Sequence, residues 1–259
     1  MEQDWIRCED CIEGMKALPD GAVDMILCDP PFGSTENFWD KRLPLEEMWS
    51  EFKRVTKENA AILIFSQLPF AVDVINANRK MYRYEWIWHK SNPVGFLNAN
   101  KMPLRAHENI LVFYRKLPTY NPQYWYSTPY KKKMTPIVGG VYRNVHRIAC
   151  PQSTDGKRYP LDIIRAKSGT SLTENHKMYH ATQKPVDLFE YLIKTYTNEG
   201  ETVLDACMGV GTTAVAAVNT NRHFIGFETH QPFVDISYRR ITEAQERLDE
   251  RRVTTLAFG

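Results

Sequence analysis

The sequence predicts a doubly wound α/β fold on a mostly parallel sheet, interrupted by one irregular insertion. Three observations carry this. Apolar runs of strand length alternate with stretches whose apolar residues recur at helical spacing. Two of those runs stop abruptly at Pro or Gly turns, at the position where open α/β sheets place their ligand crevice. Hydrophobic residues fill 43% of 259 positions, enough for a sizeable core.

Trp5-Ile6-Arg7-Cys8 reads as a short strand. Ile12, Met15 and Leu18 then recur at helical spacing until Pro19-Asp20-Gly21 stops the helix. Val23–Cys28 is a mostly apolar run of the kind buried in a parallel sheet, and it halts at Asp29-Pro30-Pro31-Phe32-Gly33. Leu45–Val55 sets Met48, Phe52 and Val55 on one helical face, and the strand Ala61–Phe65 follows. Tyr84–Trp88 and Ile110–Tyr114 are further strands. From Leu117 to about Asn175, Pro118, Pro122, Pro129, Pro136, Pro151 and Pro160, with Gly139-Gly140, break any long periodicity. That stretch, 117–175, stands apart from 1–116 and 176–259. The alternation resumes with helix Val186–Tyr196, strand Glu201–Asp205, helix Thr212–Val218, strand His223–Glu228 and helix Phe233–Leu248.

This composition excludes a disordered tail, a fibrous protein and a small disulfide-stapled scaffold. Ala60–Phe65 is only strand-sized, far short of the ~18 apolar residues of a membrane helix. The acidic start, Met1-Glu2-Gln3-Asp4, has no signal-peptide core, so a cytoplasmic protein with no membrane partner is expected. Cys8, Cys11, Cys28, Cys150 and Cys207 are an odd five, which argues against a disulfide framework. Cys8-Glu9-Asp10-Cys11 has zinc-like spacing, but no second such pair exists and His146 with Cys150 is remote. Buried strand-end cysteines and no metal are expected.

The net charge of +2 conceals an uneven distribution. Residues 1–100 carry a net −5, residues 101–168 a net +10 and residues 169–259 a net −3. The basic segment also holds nine aromatics, among them Tyr120, Tyr124, Trp125, Tyr126 and Tyr159. Such a segment fits a polyanion partner, and equally a solvated loop region.

Two motifs carry chemistry. Asp205-Ala206-Cys207-Met208-Gly209-Val210-Gly211-Thr212-Thr213-Ala214 runs from a strand through a glycine turn into a helix. The glycines permit a tight turn and close approach of a ligand. Glu228, 17 residues past Gly211 at the end of the next strand, can accept from both hydroxyls of a ribose. The pattern fits NAD as well as other adenosine cofactors. In Asp29-Pro30-Pro31-Phe32, the prolines stiffen the backbone and remove two N–H groups. Asp29 and the Pro30 carbonyl then form a rigid pair of acceptors for an amino group, and Phe32 suits a planar ring beside it.

Asp29-Pro30-Pro31-Phe32 resembles the catalytic tetrapeptide of the DNA amino-methyltransferases that modify adenine N6 or cytosine N4. Thr182-Gln183-Lys184-Pro185, after His180, resembles their cofactor-pocket segment, and Asp205–Thr213 their S-adenosylmethionine loop. Trp88-His89-Lys90-Ser91-Asn92 and Arg105–Leu111 are similar to the family as well. The order, catalytic tetrapeptide first and cofactor loop last, is that of the circularly permuted β class. The resemblance implies a Rossmann-like, seven-stranded catalytic domain of 1–116 and 176–259, with 117–175 as an inserted target-recognition region.

It further implies S-adenosyl-L-methionine as cofactor, held by Asp10, Cys11, Asp29, Thr182, Lys184, Pro185, Asp205, Ala206, Cys207, Gly209, Gly211, Thr212, Thr213 and Glu228. Asp10 is read equally as a helix N-cap. Cys207 stands where the family usually has an aromatic. Asp29, Pro30, Pro31 and Phe32 would be catalytic, acting on a base flipped out of double-stranded DNA. Lys131, Lys132, Lys133, Arg143, Arg147, Lys157 and Arg158 would contact phosphates. The loop Ser34–Asp40, with Phe38 and Trp39, would close over the base or simply pack. Asp rather than Ser at position 29 points to adenine N6, with cytosine N4 as the alternative. A homodimer and a cognate restriction enzyme are the further partners such a protein implies. Two other classes remain. An NAD-dependent oxidoreductase explains the glycine loop but gives Asp29-Pro30-Pro31-Phe32 no role. A non-catalytic DNA-binding module explains the basic stretch but has no need of an intact Asp29.

Overall fold

The computed structural model describes residues 3–37, 40–129, 155–167, 179–180 and 182–258. By contacts the chain divides into a large unit, 1–121 with 162–259, and a small one, 122–161.

The large unit is built on β1 (Trp5–Cys8), α1 (Cys11–Lys16), β2 (Val23–Cys28), α2 (Leu45–Val55), β3 (Thr56–Ser66) and α3 (Phe70–Ala77). It continues with β4 (Tyr82–Val94) and β5 (Arg105–Phe113). After the small unit come β8 (Ile163–Ala166), α4 (Val186–Tyr196), β9 (Thr202–Asp205), α5 (Thr212–Asn219), β10 (His223–Glu228) and α6 (Gln231–Phe258). The sheet order is β1-β10-β9-β2-β3-β5-β4-β8. The neighbours from β1 to β3 are parallel, β5 is antiparallel to both β3 and β4, and β8 is parallel to β4. Only β5 therefore runs against the others.

The sheet has eight strands where the resemblance implied seven. The extra strand is β8, which lies within the stretch of 117–175 set apart by composition and pairs with β4 from Ile87↔Ile163 to Lys90↔Ala166. Ile163-Ile164-Arg165-Ala166 is too short, among so many breakers, to read as a strand. An edge position supplied by β4 makes it one.

Side-chain alternation along each strand divides the core. Met25 and Leu27 of β2 join Leu63, Phe65, Trp86, Trp88 and Ile110 beneath α4, α5 and α6. Ile26 and Cys28 join Ile62, Ile64, Leu111 and Phe113 beneath α1, α2 and α3. Helices thus cover both faces, as the near-continuous apolar run of β2 requires. Each fully buried side chain of this kind contributes about 1.5–3 kcal/mol. The short helix α3, which composition did not single out, buries Phe70, Ala71 and Val74. The strands β3 and β4 run well past their apolar centres, because polar residues such as Lys57 and Glu58 extend β3 on its exposed part.

In the small unit, β6 (Trp125–Tyr126) and β7 (Lys157–Arg158) form an antiparallel pair. Trp125 Nε1 donates to the Tyr159 carbonyl at 3.0 Å, and Arg158 Nη2 donates to the Thr128 carbonyl at 2.7 Å. The Lys157 ammonium sits 3.8 Å from the Tyr124 ring centroid. Gly156 has φ +79°, and a Cβ there would stand 2.2 Å from the Ser127 carbonyl oxygen. Among the described residues, no helix is long and apolar enough to cross a membrane.

One polar contact ties α4 to the sheet. The Tyr196 hydroxyl accepts from Trp86 Nε1 at 2.7 Å and bonds the Tyr84 hydroxyl at 2.7 Å. Tyr196→Phe leaves the buried indole N–H without its acceptor and should lower stability by about 1–3 kcal/mol. Tyr84→Phe, at an exposed position, should cost less. Urea unfolding of both variants checks the order.

Candidate functional site

In parallel sheets all carboxyl ends lie together, and a crevice opens where consecutive connections diverge. Here that point lies between β9 and β2. From β9 the chain moves through α5 to β10 on one side, and from β2 through α2 to β3 on the other. Asp205 ends β9, and Asp29 immediately follows β2. The two sequence motifs therefore meet across neighbouring strands.

Asp29 does not stand alone. Lys184 Nζ donates to Asp29 Oδ2 at 2.5 Å and lies 3.6 Å from Glu108 Oε2. Glu108 Oε1 in turn accepts from Lys90 Nζ. Lys90, Glu108 and Lys184 are all buried. The result is a chain of alternating charges, Asp29–Lys184–Glu108–Lys90. Lys90 and Glu108 continue the face of β4 and β5 that buries Trp86, Trp88 and Ile110, so the apolar stripe ends in charge at the carboxyl end of β4. Burial raises the Asp29 carboxyl above its usual range; Lys184 opposes this and Glu108 adds to it. Burial also works to raise Glu108, but Lys184 and Lys90 overcome it and hold that carboxyl low. Burial disfavours the charged Lys184, yet the two carboxylates keep its ammonium protonated beyond the ordinary value.

The glycine turn is held by carboxylates. Asp205 Oδ1 accepts from Cys207 N at 2.9 Å, and Oδ2 accepts from the Thr213 hydroxyl. Glu228 Oε2 accepts from Gly209 N and Oε1 from His230 N, both at 2.9 Å. Gly211 has φ +83°, and a Cβ there would press on Ser237 at 2.7 Å. Gly209, at φ +55°, faces open space. Thr212 Oγ1 reaches the Lys184 carbonyl at 3.4 Å, joining this loop to the segment that carries the ammonium. Ala206 and Thr213 are buried, and Pro185 caps α4. Thr182 bonds His180 Nδ1 at 2.9 Å.

The turn after β2 is pinned as well. The buried Asp40 carboxylate accepts from the backbone N–H groups of Gly33, Ser34 and Thr35 and from the Thr35 hydroxyl. Burial raises this carboxyl, but these donors outweigh it and hold it below its usual range. Phe32 is half-buried and stacks on Phe70 of α3, centroids 5.4 Å apart.

Asp10 caps α1, its Oδ1 accepting from Ile12 N at 2.9 Å and Glu13 N at 3.2 Å. It follows β1, whose Cys8 is in register with Glu228. Cys11 and Cys28 are free thiols buried in the core with Cys207 packed against them, whereas Cys8 Sγ bonds the Thr229 carbonyl at 3.6 Å. Among the described residues, no group of His, Cys, Asp and Glu is placed to hold a metal ion.

The structure thus brings Asp29, Lys184, Asp205, Gly209, Gly211, Thr212, Thr213 and Glu228 to one end of the sheet. Lys184, read from sequence as a cofactor-pocket residue, directs its ammonium to Asp29 and Glu108. Lys157 and Arg158, read as phosphate contacts, form β7; the Lys157 ammonium lies over the Tyr124 ring and Arg158 donates to the Thr128 carbonyl. Lys131, Lys132, Lys133, Arg143 and Arg147, together with Phe38, Trp39, His146 and Cys150, lie outside the described residues. Sequence reasoning missed Lys90, Glu108 and Asp40 as site residues. The available signal was a charge interrupting an alternating apolar stripe, at Lys90 after Trp86 and Trp88 and at Glu108 before Ile110 and Val112.

The profile of the DNA methylase family (N6_N4_Mtase) matches residues 23–239. The type II methyltransferase M.HinfI of Haemophilus influenzae is 26% identical over 260 residues, covering 90% of this chain and 67% of its own length. The type II methyltransferase M.HpaI of Haemophilus parainfluenzae is 28% identical over 265 residues, covering 93% and 73%. Among solved structures, M1.HpyAVI in its SAM complex matches with a TM-score of 0.61 at 24% identity, covering 91% of this chain and 98% of that one. The cytosine-N4-specific PvuII DNA methyltransferase matches with a TM-score of 0.65 at 14% identity, covering 95% and 93%. At these identities the structural likeness is one of fold.

The buried Asp205 makes a pH test. Burial, the largest influence, lifts its carboxyl from 3.8 to about 7, against the donors Thr213 and Cys207 N. A carboxyl raised by folding stabilises the native state in its protonated form. That contribution is complete below the unfolded value and is lost as the pH rises to about 7. Asp205→Asn cannot titrate, so wild-type stability should fall relative to the variant between about pH 4 and pH 7 and run parallel to it above about pH 8. Denaturant unfolding without cofactor measures this, and a gap that does not vary with pH assigns the titration elsewhere.

Proposed function

The chain belongs to the DNA methylase family, whose members methylate the amino nitrogen of adenine or cytosine, and within it we propose a site-specific enzyme acting on adenine N6 in double-stranded DNA. The observation that carries this reading is Asp29, a carboxylate followed by two prolines, set across the sheet switch point from the glycine turn and held by a buried ammonium.

S-adenosyl-L-methionine is the cofactor and supplies a methyl group on a positively charged sulfur. The residues present fit it. Gly209 leaves open space above the turn, where any Cβ would project. The Glu228 carboxylate, fixed by two backbone N–H groups, has acceptor capacity left for the hydroxyls of a ribose. Asp10 and Cys11, at the start of α1, stand at the end of the strand paired with that of Glu228.

The target amino group is a weak nucleophile because its lone pair is delocalised into the ring. Lys184 occupies Asp29 Oδ2, which leaves Oδ1 and the Pro30 carbonyl to accept the two N–H groups. Pro30 and Pro31 hold these acceptors in place without competing donors. Both hydrogen bonds favour a pyramidal nitrogen with its lone pair free for in-line attack. The carboxylate stabilises the positive charge that develops there. It also receives the proton the nitrogen then loses, a role suited to the basicity that burial imposes on it. Phe32, braced by Phe70, offers a face to the flipped base. Orientation of this kind is worth ~7–11 kcal/mol.

Asp at position 29 supports adenine, because relatives acting on cytosine more often carry Ser there. The basic stretch within 117–175 is the region assigned to target recognition, with Lys131, Lys132, Lys133, Arg143 and Arg147 on phosphates. The relatives' designation as type II methyltransferases supports a cognate restriction enzyme acting at the same sequence.

Asp29→Ala should reduce methyl transfer by about 10²-fold or more while cofactor binding, measured by calorimetry, persists. Equal transfer by both proteins would remove Asp29 from the chemistry. Nucleoside mass spectrometry and methylation-sensitive sequencing of DNA from expressing cells should show N6-methyladenine at one recognition site. N4-methylcytosine instead would reassign the base.

A further inference from the structure

Between β4 and β5 the chain leaves the sheet over residues 95–104. Because β4 runs parallel to β2, this excursion projects from the same end of the sheet as Asp29. It begins five residues past Lys90, the last member of the charge chain that leads to Asp29. Its surface is apolar and open. Leu97 is 97% exposed, Phe96 68%, Met102 57% and Val94 44%. Gly95, at φ +97°, turns the chain so that Phe96–Asn98 forms a single 3-10 turn at the tip.

Four exposed apolar side chains within nine residues, with Phe96 and Leu97 adjacent, suit a surface that meets a partner. Charge identifies the partner. From Ser91 to His107 there is no acidic residue, while Lys101 and Arg105 are cationic and Asn98 and Asn100 carry amides. Apolar side chains flanked by cations and amides, with no carboxylate, suit the edge of a duplex. There Phe, Leu and Met wedge between base steps and cations meet phosphates. An enzyme that extrudes a base also leaves a gap in the stack, which costs free energy unless something fills it.

We propose that residues 94–102 are the wedge that enters DNA at the target step, with Phe96 and Leu97 filling the space the flipped base vacates and Lys101 and Arg105 holding the flanking phosphates. The assignment rests on the DNA-methylating reading of the site and adds to it the element that opens the duplex. Phe96 and Leu97 project into solvent, so truncating them leaves the core untouched.

The test compares wild type, the double variant Phe96→Ala with Leu97→Ala, and the conservative pair Phe96→Leu with Leu97→Met. The substrates are duplexes carrying the mapped recognition site with the target base either paired or opposite an abasic position. On the paired duplex the alanine variant should methylate about 10-fold or more slowly, and the conservative pair should retain most of the rate. Opposite the abasic position, where extrusion is already easy, the alanine variant should approach wild type. With 2-aminopurine as the target base, wild type should raise the fluorescence on binding and the alanine variant should not. Sedimentation should show the same oligomeric state for all three proteins. An unchanged rate on the paired duplex overturns the wedge. So does an equal loss on both substrates, which marks a binding role, or a loss of self-association, which marks an interface between copies. A wild type that methylates neither substrate overturns the activity reading and the wedge with it.

Discussion

The buried ammonium of Lys184 is the interaction on which the site depends. It lies 2.5 Å from one carboxylate and 3.6 Å from another, on elements remote in sequence. A charge taken out of water costs several kcal/mol unless it is paired, and an ion left unpaired by loss of its partner costs about 3–5 kcal/mol. Asp29 after β2, Glu108 on β5 and the segment before α4 must therefore assemble together. Glu108 carries the load of two ammoniums, Lys184 and Lys90, and so draws β4 into the same arrangement. The Lys184 carbonyl, bonded by Thr212, passes the constraint on to the glycine turn.

From that constraint follows the division of labour across the crevice. On the β2 side, rigidity comes from consecutive prolines and from Asp40, which gathers three backbone N–H groups and fixes the turn beyond Phe32. On the β9 side, it comes from Asp205 and Glu228, each spanning the glycine turn with two acceptor oxygens. Both sides use carboxylates to hold backbone, and one carboxylate, Asp29, is held by a side chain instead. That difference leaves Asp29 an oxygen to offer, with its basicity set by burial and by the shared ammonium. The apolar tip at 94–102 projects from this same end of the sheet, beyond β3 and β5 from Asp29.

Much of the fold was legible because its signals are local. The apolar run Val23–Cys28, the stops at Asp29-Pro30 and Gly209-Val210-Gly211, and the helical spacing of Leu188, Phe189, Leu192 and Ile193 each arise within a few residues. What escaped depended on neighbours. Ile163–Ala166 is a strand because β4 offers it an edge. The helix α3 is short, and its place is decided by the core that receives Phe70 and Val74. Lys90 and Glu108 stand in strands whose alternation predicts apolar residues, and only their mutual proximity makes two charges tolerable there.

By itself, the sequence determined the class of fold, the order of its units and the chemical types at the two turn motifs, because periodicity, Pro and Gly act on the backbone in place. The tertiary structure alone decided which charges meet. Asp29 and Lys184 are 155 residues apart. Nothing in either neighbourhood states that they pair, or that Glu108 shares the ammonium between them. Coulombic and desolvation terms depend on distance and burial in space, and these exist only once the sheet has brought its carboxyl ends together.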